Sequence, residues 1–146
     1  MIQEDLNNDF KKALKEGDTL KKNTIQLLRS QIHLIEKDLD RHMERLEVED
    51  LIIKERKKRI ELMSQAEKID RKDLMEQAKK EIVILEAYLP QQLSEYDLTN
   101  IVKDTIKEME AAQKDIGKVI RKIKETYNNQ VDGRMLSDIV KRLLEN

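Results

Sequence analysis

Cysteine is absent, and with it go disulfides, thiol nucleophiles and thiolate metal sites. This fits a reducing cytoplasm, where the chain is expected to reside. Aromatic residues number four, three Tyr and one Phe with no Trp, too few for the core of a β-sandwich or barrel. Glycine occurs three times and proline once, so turn signals are sparse. No apolar run approaches the ~20 residues that span a bilayer, and no membrane association is expected. The first residues, Met1-Ile2-Gln3-Glu4-Asp5, lack the basic and apolar regions of a secretion signal. Net charge is −1, which gives no global pull toward nucleic acid or membrane.

What remains is a chain of 146 residues, 40% charged and 38% hydrophobic. That balance describes helices with wet, charged outer faces. Apolar residues recur at helical spacing almost throughout, so the fold class is all-α and the chain is not disordered.

The lone proline organises the rest. Pro90 cannot continue a helix and pushes Leu89 out of helical geometry. Four residues on, Ser94 is an N-cap with Asp97 three positions later, and Leu93 and Leu98 are spaced as a hydrophobic staple. The chain therefore stops and restarts here. An N-terminal antiparallel domain of about four helices is expected over 1–89, a joint at 90–93, and a three-helix domain over 94–146.

In the first domain the pattern predicts a helix over about 3–16, with Leu6, Phe10, Ala13 and Leu14 on one face and Gly17 as its stop. Asp18 then caps a longer helix with the stripe Leu20, Thr24, Leu27, Leu28, Ile32, Ile35 and Leu39. A loop is expected around 41–47 and a third helix over about 48–68, its seam made of Ile52, Ile53, Ile60, Met63 and Ala66. Within Lys54-Glu55-Arg56-Lys57-Lys58-Arg59 one charge must fall on the seam, and Arg56 is the expected one. Asp70 is expected to cap the fourth helix, with an Ile69–Leu74 staple. That helix carries Leu74, Ala78, Ile82, Leu85 and Leu89 into the proline turn.

In the second domain, helices are expected over about 95–110, from Asp115, and from Asp132 with a Val131–Leu136 staple. The first is expected to bury Leu98, Ile101, Val102, Thr105, Ile106 and Met109, the second Ile116, Val119, Ile120 and Ile123, and the third Leu136, Ile139, Val140, Leu143 and Leu144.

No constellation for catalysis stands out. His33 and His42 are nine residues apart, on opposite faces if they share a helix, so no metal site is expected. None of the four serines sits in a strand–turn–helix elbow, and no phosphate loop or dinucleotide fingerprint occurs. No catalytic residue, cofactor or metal is expected.

Charge is unevenly placed. Residues 95–110 carry two lysines against five acids, whereas residues 111–146 carry eight basic side chains against five acids. At 100° per residue, Lys114, Lys118, Arg121 and Lys122 fall opposite Ile116, Val119, Ile120 and Ile123. Arg134 and Lys141 stand likewise opposite Leu136, Ile139 and Leu143. These six, with Gly117 and Gly133 in the first turns of their helices, form a candidate phosphate-backbone surface. A solvated amphipathic face is the plainer explanation of the same pattern.

At these residues the chain resembles the YqeY family, which is similar to the GatB tail domain of the tRNA-dependent amidotransferase. The resemblance rests on Asp9-Phe10-Lys11-Lys12-Ala13-Leu14, Arg71-Lys72-Asp73-Leu74, and Glu81-Ile82-Val83-Ile84-Leu85-Glu86-Ala87-Tyr88-Leu89-Pro90-Gln91-Gln92-Leu93-Ser94. Asp115-Ile116-Gly117-Lys118-Val119 and Asp132-Gly133-Arg134 complete it. Where the family commonly has Gly-Arg-Ala-Asp-Gly, this chain has Asn129-Gln130-Val131-Asp132-Gly133. The resemblance implies two helical domains and an association with tRNA, without the catalytic domains of the larger enzyme. The leading expectation is a non-catalytic tRNA-binding accessory module. Alternatives are a helical module docking on an aminoacyl-tRNA synthetase or amidotransferase, or a component of a carbon–nitrogen ligase using glutamine as amide donor.

Overall fold

The computed structural model describes residues 1–145 and is all-α, with seven helices and no strand among them. The chain folds into two compact units, one from Met1 to Leu89 and a second beginning at Pro90.

The first unit holds α1 (Ile2–Glu16), α2 (Thr19–Leu39), α3 (Arg45–Lys68) and α4 (Lys72–Glu86). Gly17 ends α1 with φ 72°, a left-handed turn that favours glycine, and Asp18 caps α2 by accepting the Lys21 N–H at 3.2 Å. The core centres on Leu6, Ile25, Leu28, Val48, Ile52 and Leu85. Phe10, Tyr88 and Leu89 pack on its edge. Tyr88 donates its hydroxyl to Asp9, joining the end of the first unit to its first helix.

Several expected positions move. Ile25 is buried and Leu27 is 43% exposed, because Leu27 lies far round the helix from the Thr24–Leu28–Ile32 stripe. Leu14 and Leu39 are also exposed, the first at the stripe's flank and the second in the last turn. The loop shrinks to residues 40–44, and α3 starts at Arg45. Its start is stabilised locally: Glu47 accepts the Glu44 N–H at 3.0 Å and Arg41 at 2.7 Å. The Arg41 bond and the Glu44 N–H pull the Glu47 carboxyl from its ordinary 4.5 to about 2.

Within Lys54–Arg59 the buried charge is Glu55, not Arg56, and Glu49 is a second buried acid earlier on α3. Val48, Ile52, Glu55, Arg59 and Ala66 form the inward stripe, while Ile60 is 44% exposed. Glu55 accepts from Gln31 on α2 at 2.9 Å, from Lys58 at 3.1 Å, and from Arg59. Arg59 continues to Glu81 on α4 at 3.1 Å. Burial pushes the Glu55 carboxyl up, but these three donors outweigh it and hold it below its ordinary range.

Asp70 does not cap α4. Its φ is 54°, in the left-handed region, so it closes α3, its N–H donating to the Glu67 carbonyl at 3.1 Å. Ile69 and Leu74, the expected staple, are both exposed, at 64% and 41%. Leu89 lies beyond the end of α4.

The second unit holds α5 (Glu95–Met109), α6 (Ile116–Tyr127) and α7 (Gly133–Glu145). Helix is interrupted from Ala87 to Ser94, on both sides of Pro90, and Ser94 caps α5 by accepting the Asp97 N–H at 3.1 Å. The Leu93 N–H donates to the Gln130 carbonyl at 2.8 Å, and Gln92 donates to the Asn129 carbonyl. The core is Leu98, Val102, Val119, Ile123, Leu136, Ile139 and Val140, with Leu93 and Val131 packed on it.

Candidate nucleic-acid interface

The two basic helices owe their orientation to that core. Val119 and Ile123 are fully buried on α6, and Leu136, Ile139 and Val140 on α7. Their outward faces follow from the helical period. Lys114, Lys118, Arg121, Lys122, Arg134 and Lys141 are all exposed. Among the described residues, only Lys118 of these six has a carboxylate within 4.0 Å: Asp115, at 3.9 Å. The other five have no carboxylate within that distance.

The faces are less uniform than helical spacing of the basic residues alone suggests. Glu125 stands on the outward face of α6, four residues after Arg121, without pairing to it. Asp138 and Arg142 share the outward side of α7 with Arg134 and line a groove of about 400 Å³ with Glu95 and Asp132. Lys124 and Arg142 are exposed basic residues outside the expected set.

The helix starts behave differently from one another. Asp115 does not cap α6. A short 3₁₀ turn, Gln113–Asp115, runs directly into the helix, so the Ile116 N–H already donates to the Gln113 carbonyl. The Asp115 carboxylate turns back to accept the Ala112 N–H at 3.0 Å. Gly117 has no atom near the place of a Cβ, so neither packing nor backbone conformation requires glycine there. Asp132 does cap α7, accepting from the Arg134 N–H at 2.9 Å and the Met135 N–H at 3.1 Å. Its carboxylate occupies the donors that an anion would use, so Gly133 does not open an anion site by backbone alone. A Cβ on Gly133 would instead lie 3.6 Å from the Lys124 ammonium. What this surface offers an anion is therefore side-chain cations rather than free helix ends.

Elsewhere, the loop at 40–44 brings His42 back beside α2, so His33 and His42 line one groove in the first unit although they lie on different elements. Among the described residues no three His, Asp or Glu side chains converge as metal ligands would. No helix among them is long and apolar enough to cross a membrane.

The family described as Yqey-like protein matches residues 3–144, nearly the whole chain. The chain belongs to this YqeY-like family. No curated protein matches it. In this family member, the segments that carry the resemblance fall at structural joints: Tyr88 on Asp9, Ser94 at the α5 cap, Asp115 at the turn into α6, and Asp132 at the α7 cap.

Proposed function

We propose that this YqeY-like protein is a non-catalytic accessory module that binds tRNA through the basic faces of α6 and α7. The observation that carries the reading is the exposure of Lys114, Arg121, Lys122, Arg134 and Lys141 with no carboxylate within 4.0 Å among the described residues. Long, solvated cations on adjoining rigid helices suit a phosphate backbone, which supplies most of the affinity in sequence-independent binding. Few aromatic platforms accompany them, so contact with the backbone is favoured over base stacking. A polarisation titration with bulk tRNA at rising salt tests it. Binding that weakens linearly on a log–log plot supports the reading, and no binding at low salt removes it.

A second reading, docking on an aminoacyl-tRNA synthetase or amidotransferase, has its own observation. Leu62, Ile69 and Leu74 are 53%, 64% and 41% exposed and line a groove of about 200 Å³ between α3 and α4. Exposed apolar grooves of this kind mark protein contacts. Replacing Leu62 and Ile69 with Gln would abolish such docking while leaving tRNA titrations unchanged.

A further inference from the structure

Buried charges are normally paired. Arg29 on α2, partly withdrawn from water, has no carboxylate within 4.0 Å among the described residues. Its partners are neutral: Nε donates to Asn7 Oδ1 at 2.9 Å and Nη1 to Gln26 Oε1 at 3.0 Å. The guanidinium carbon stands 4.4 Å from the centre of the Phe10 ring. The group is thus fixed by two hydrogen bonds and a ring face while its full charge remains uncompensated.

This arrangement also dictates which way two amides face. A guanidinium only donates, so Asn7 and Gln26 must turn their oxygens toward it. Their NH₂ groups are left as donors, alongside the unused N–H groups of Arg29 and the Ser30 hydroxyl. All four side chains line one groove of about 640 Å³ between α1 and α2, floored by Leu6 and Ile32. Two acids also line it, and each has its own partners. Glu4 lies 3.8 Å from the Met1 ammonium. Glu36 accepts the Met43 N–H at 2.7 Å, the Gln3 amide at 3.4 Å and faces His42 at 3.2 Å. Burial pushes the Glu36 carboxyl up, but these contacts outweigh it and hold it below its ordinary range. The acids are occupied, and the cation is not.

We infer that this groove receives a phosphate group carried on an organic ligand, with Arg29 as its anchor. Donors stand on two helix walls rather than in one plane, which suits the spread oxygens of a tetrahedral anion better than a flat carboxylate. The groove exceeds what a bare phosphate fills and falls in the size range of small-molecule sites. A nucleoside monophosphate and a nucleotide within an RNA strand offer the same chemistry. The site lies wholly in the first unit and does not depend on the basic faces of α6 and α7.

Amide-resolved NMR titrations of the full chain with inorganic phosphate, a nucleoside 5′-monophosphate and a short RNA lacking terminal phosphate test it. Shifts confined to residues around Asn7, Gln26, Arg29 and Ser30 are expected with at least one probe. Tighter binding of the mononucleotide assigns a free ligand, and tighter binding of the RNA assigns a strand. Arg29→Gln should weaken binding by about tenfold or more, the scale of a lost charge-assisted contact. Ser30→Ala should weaken it less and serves if Arg29→Gln fails to fold. The double variant Arg121→Ala/Lys122→Ala should leave these shifts intact, whatever becomes of tRNA binding. Absence of groove shifts with all three probes, or an unchanged affinity in both groove variants, overturns the inference.

Discussion

Tyr88 donates its hydroxyl to Asp9 across 79 positions of sequence, and the two residues come from segments that carry the family resemblance. Burial first, then the hydrogen bond to Asp9 and the Asp9 charge, push the Tyr88 phenol above its ordinary 10.0. A tyrosine whose folded value is raised adds stability below its unfolded value, and that stability is lost as pH rises through the folded one. Tyr88→Phe should therefore lower stability by about 1.5–3 kcal/mol at neutral pH, the range for a hydrogen bond to a charged group. The gap between variant and wild type in urea denaturation should narrow only above about pH 10. Equal stability at neutral pH would show that the bond contributes nothing.

Glu55 joins α2 and α3 through Gln31 and its own helix neighbours, and Arg59 extends the link to α4. Glu55→Gln leaves the largely buried Arg59 with only Glu81 for its charge. The expected loss is about 3 kcal/mol, at the lower end of the range for breaking a buried pair. The midpoint of chemical denaturation reads this directly.

Acid should weaken the first unit through Glu36 and Glu55. Burial raises both carboxyls, yet both lie below 4.5 in the folded state, Glu36 through Met43, His42 and Gln3, and Glu55 through Gln31, Lys58 and Arg59. Their contribution is complete above about pH 4.5 and is lost as pH falls through the lowered values. The double variant Glu36→Gln/Glu55→Gln should thus lose less stability than wild type between about pH 6 and pH 3. A parallel loss in both proteins would assign acid sensitivity to other groups.

Ser94 caps α5 through the Asp97 N–H. Ser94→Ala should cost roughly 0.5–2 kcal/mol and leave tRNA titrations unchanged. Collapse of tRNA binding with stability untouched would give Ser94 a contact role instead.

On the basic surface, Arg121 and Lys122 are exposed without a carboxylate within 4.0 Å among the described residues. If the face meets about four phosphates, the salt slope of tRNA binding should be about −2.8 to −3.6. Removing Arg121 and Lys122 together as Ala should flatten it by about 1.4–1.8, at roughly 0.7–0.9 per phosphate, without unfolding. Lys118 should matter less, since Asp115 stands beside it. A slope unchanged in the double variant would favour docking on a protein.

Local chemistry was enough to place most helix ends from sequence. Gly17, Asp18, Pro90, Ser94 and Asp132 act through bonds to residues within a few positions, so their effects are readable without the fold. The outward placement of the six basic residues was legible for the same reason, because a strongly amphipathic helix has one buried face available. Tertiary structure decided what depends on distant neighbours. Ile25 replaced Leu27 in the core, and Glu55 rather than Arg56 took the buried position, because Gln31 and Arg59 were there to receive a carboxylate. Asp70 and Asp115 have the composition of caps, yet a left-handed turn and a preceding 3₁₀ turn gave them other bonds. The Arg29 groove and the Tyr88–Asp9 bond bring together residues far apart in the chain. Helical periodicity says which face a side chain occupies, and only packing says what that face meets.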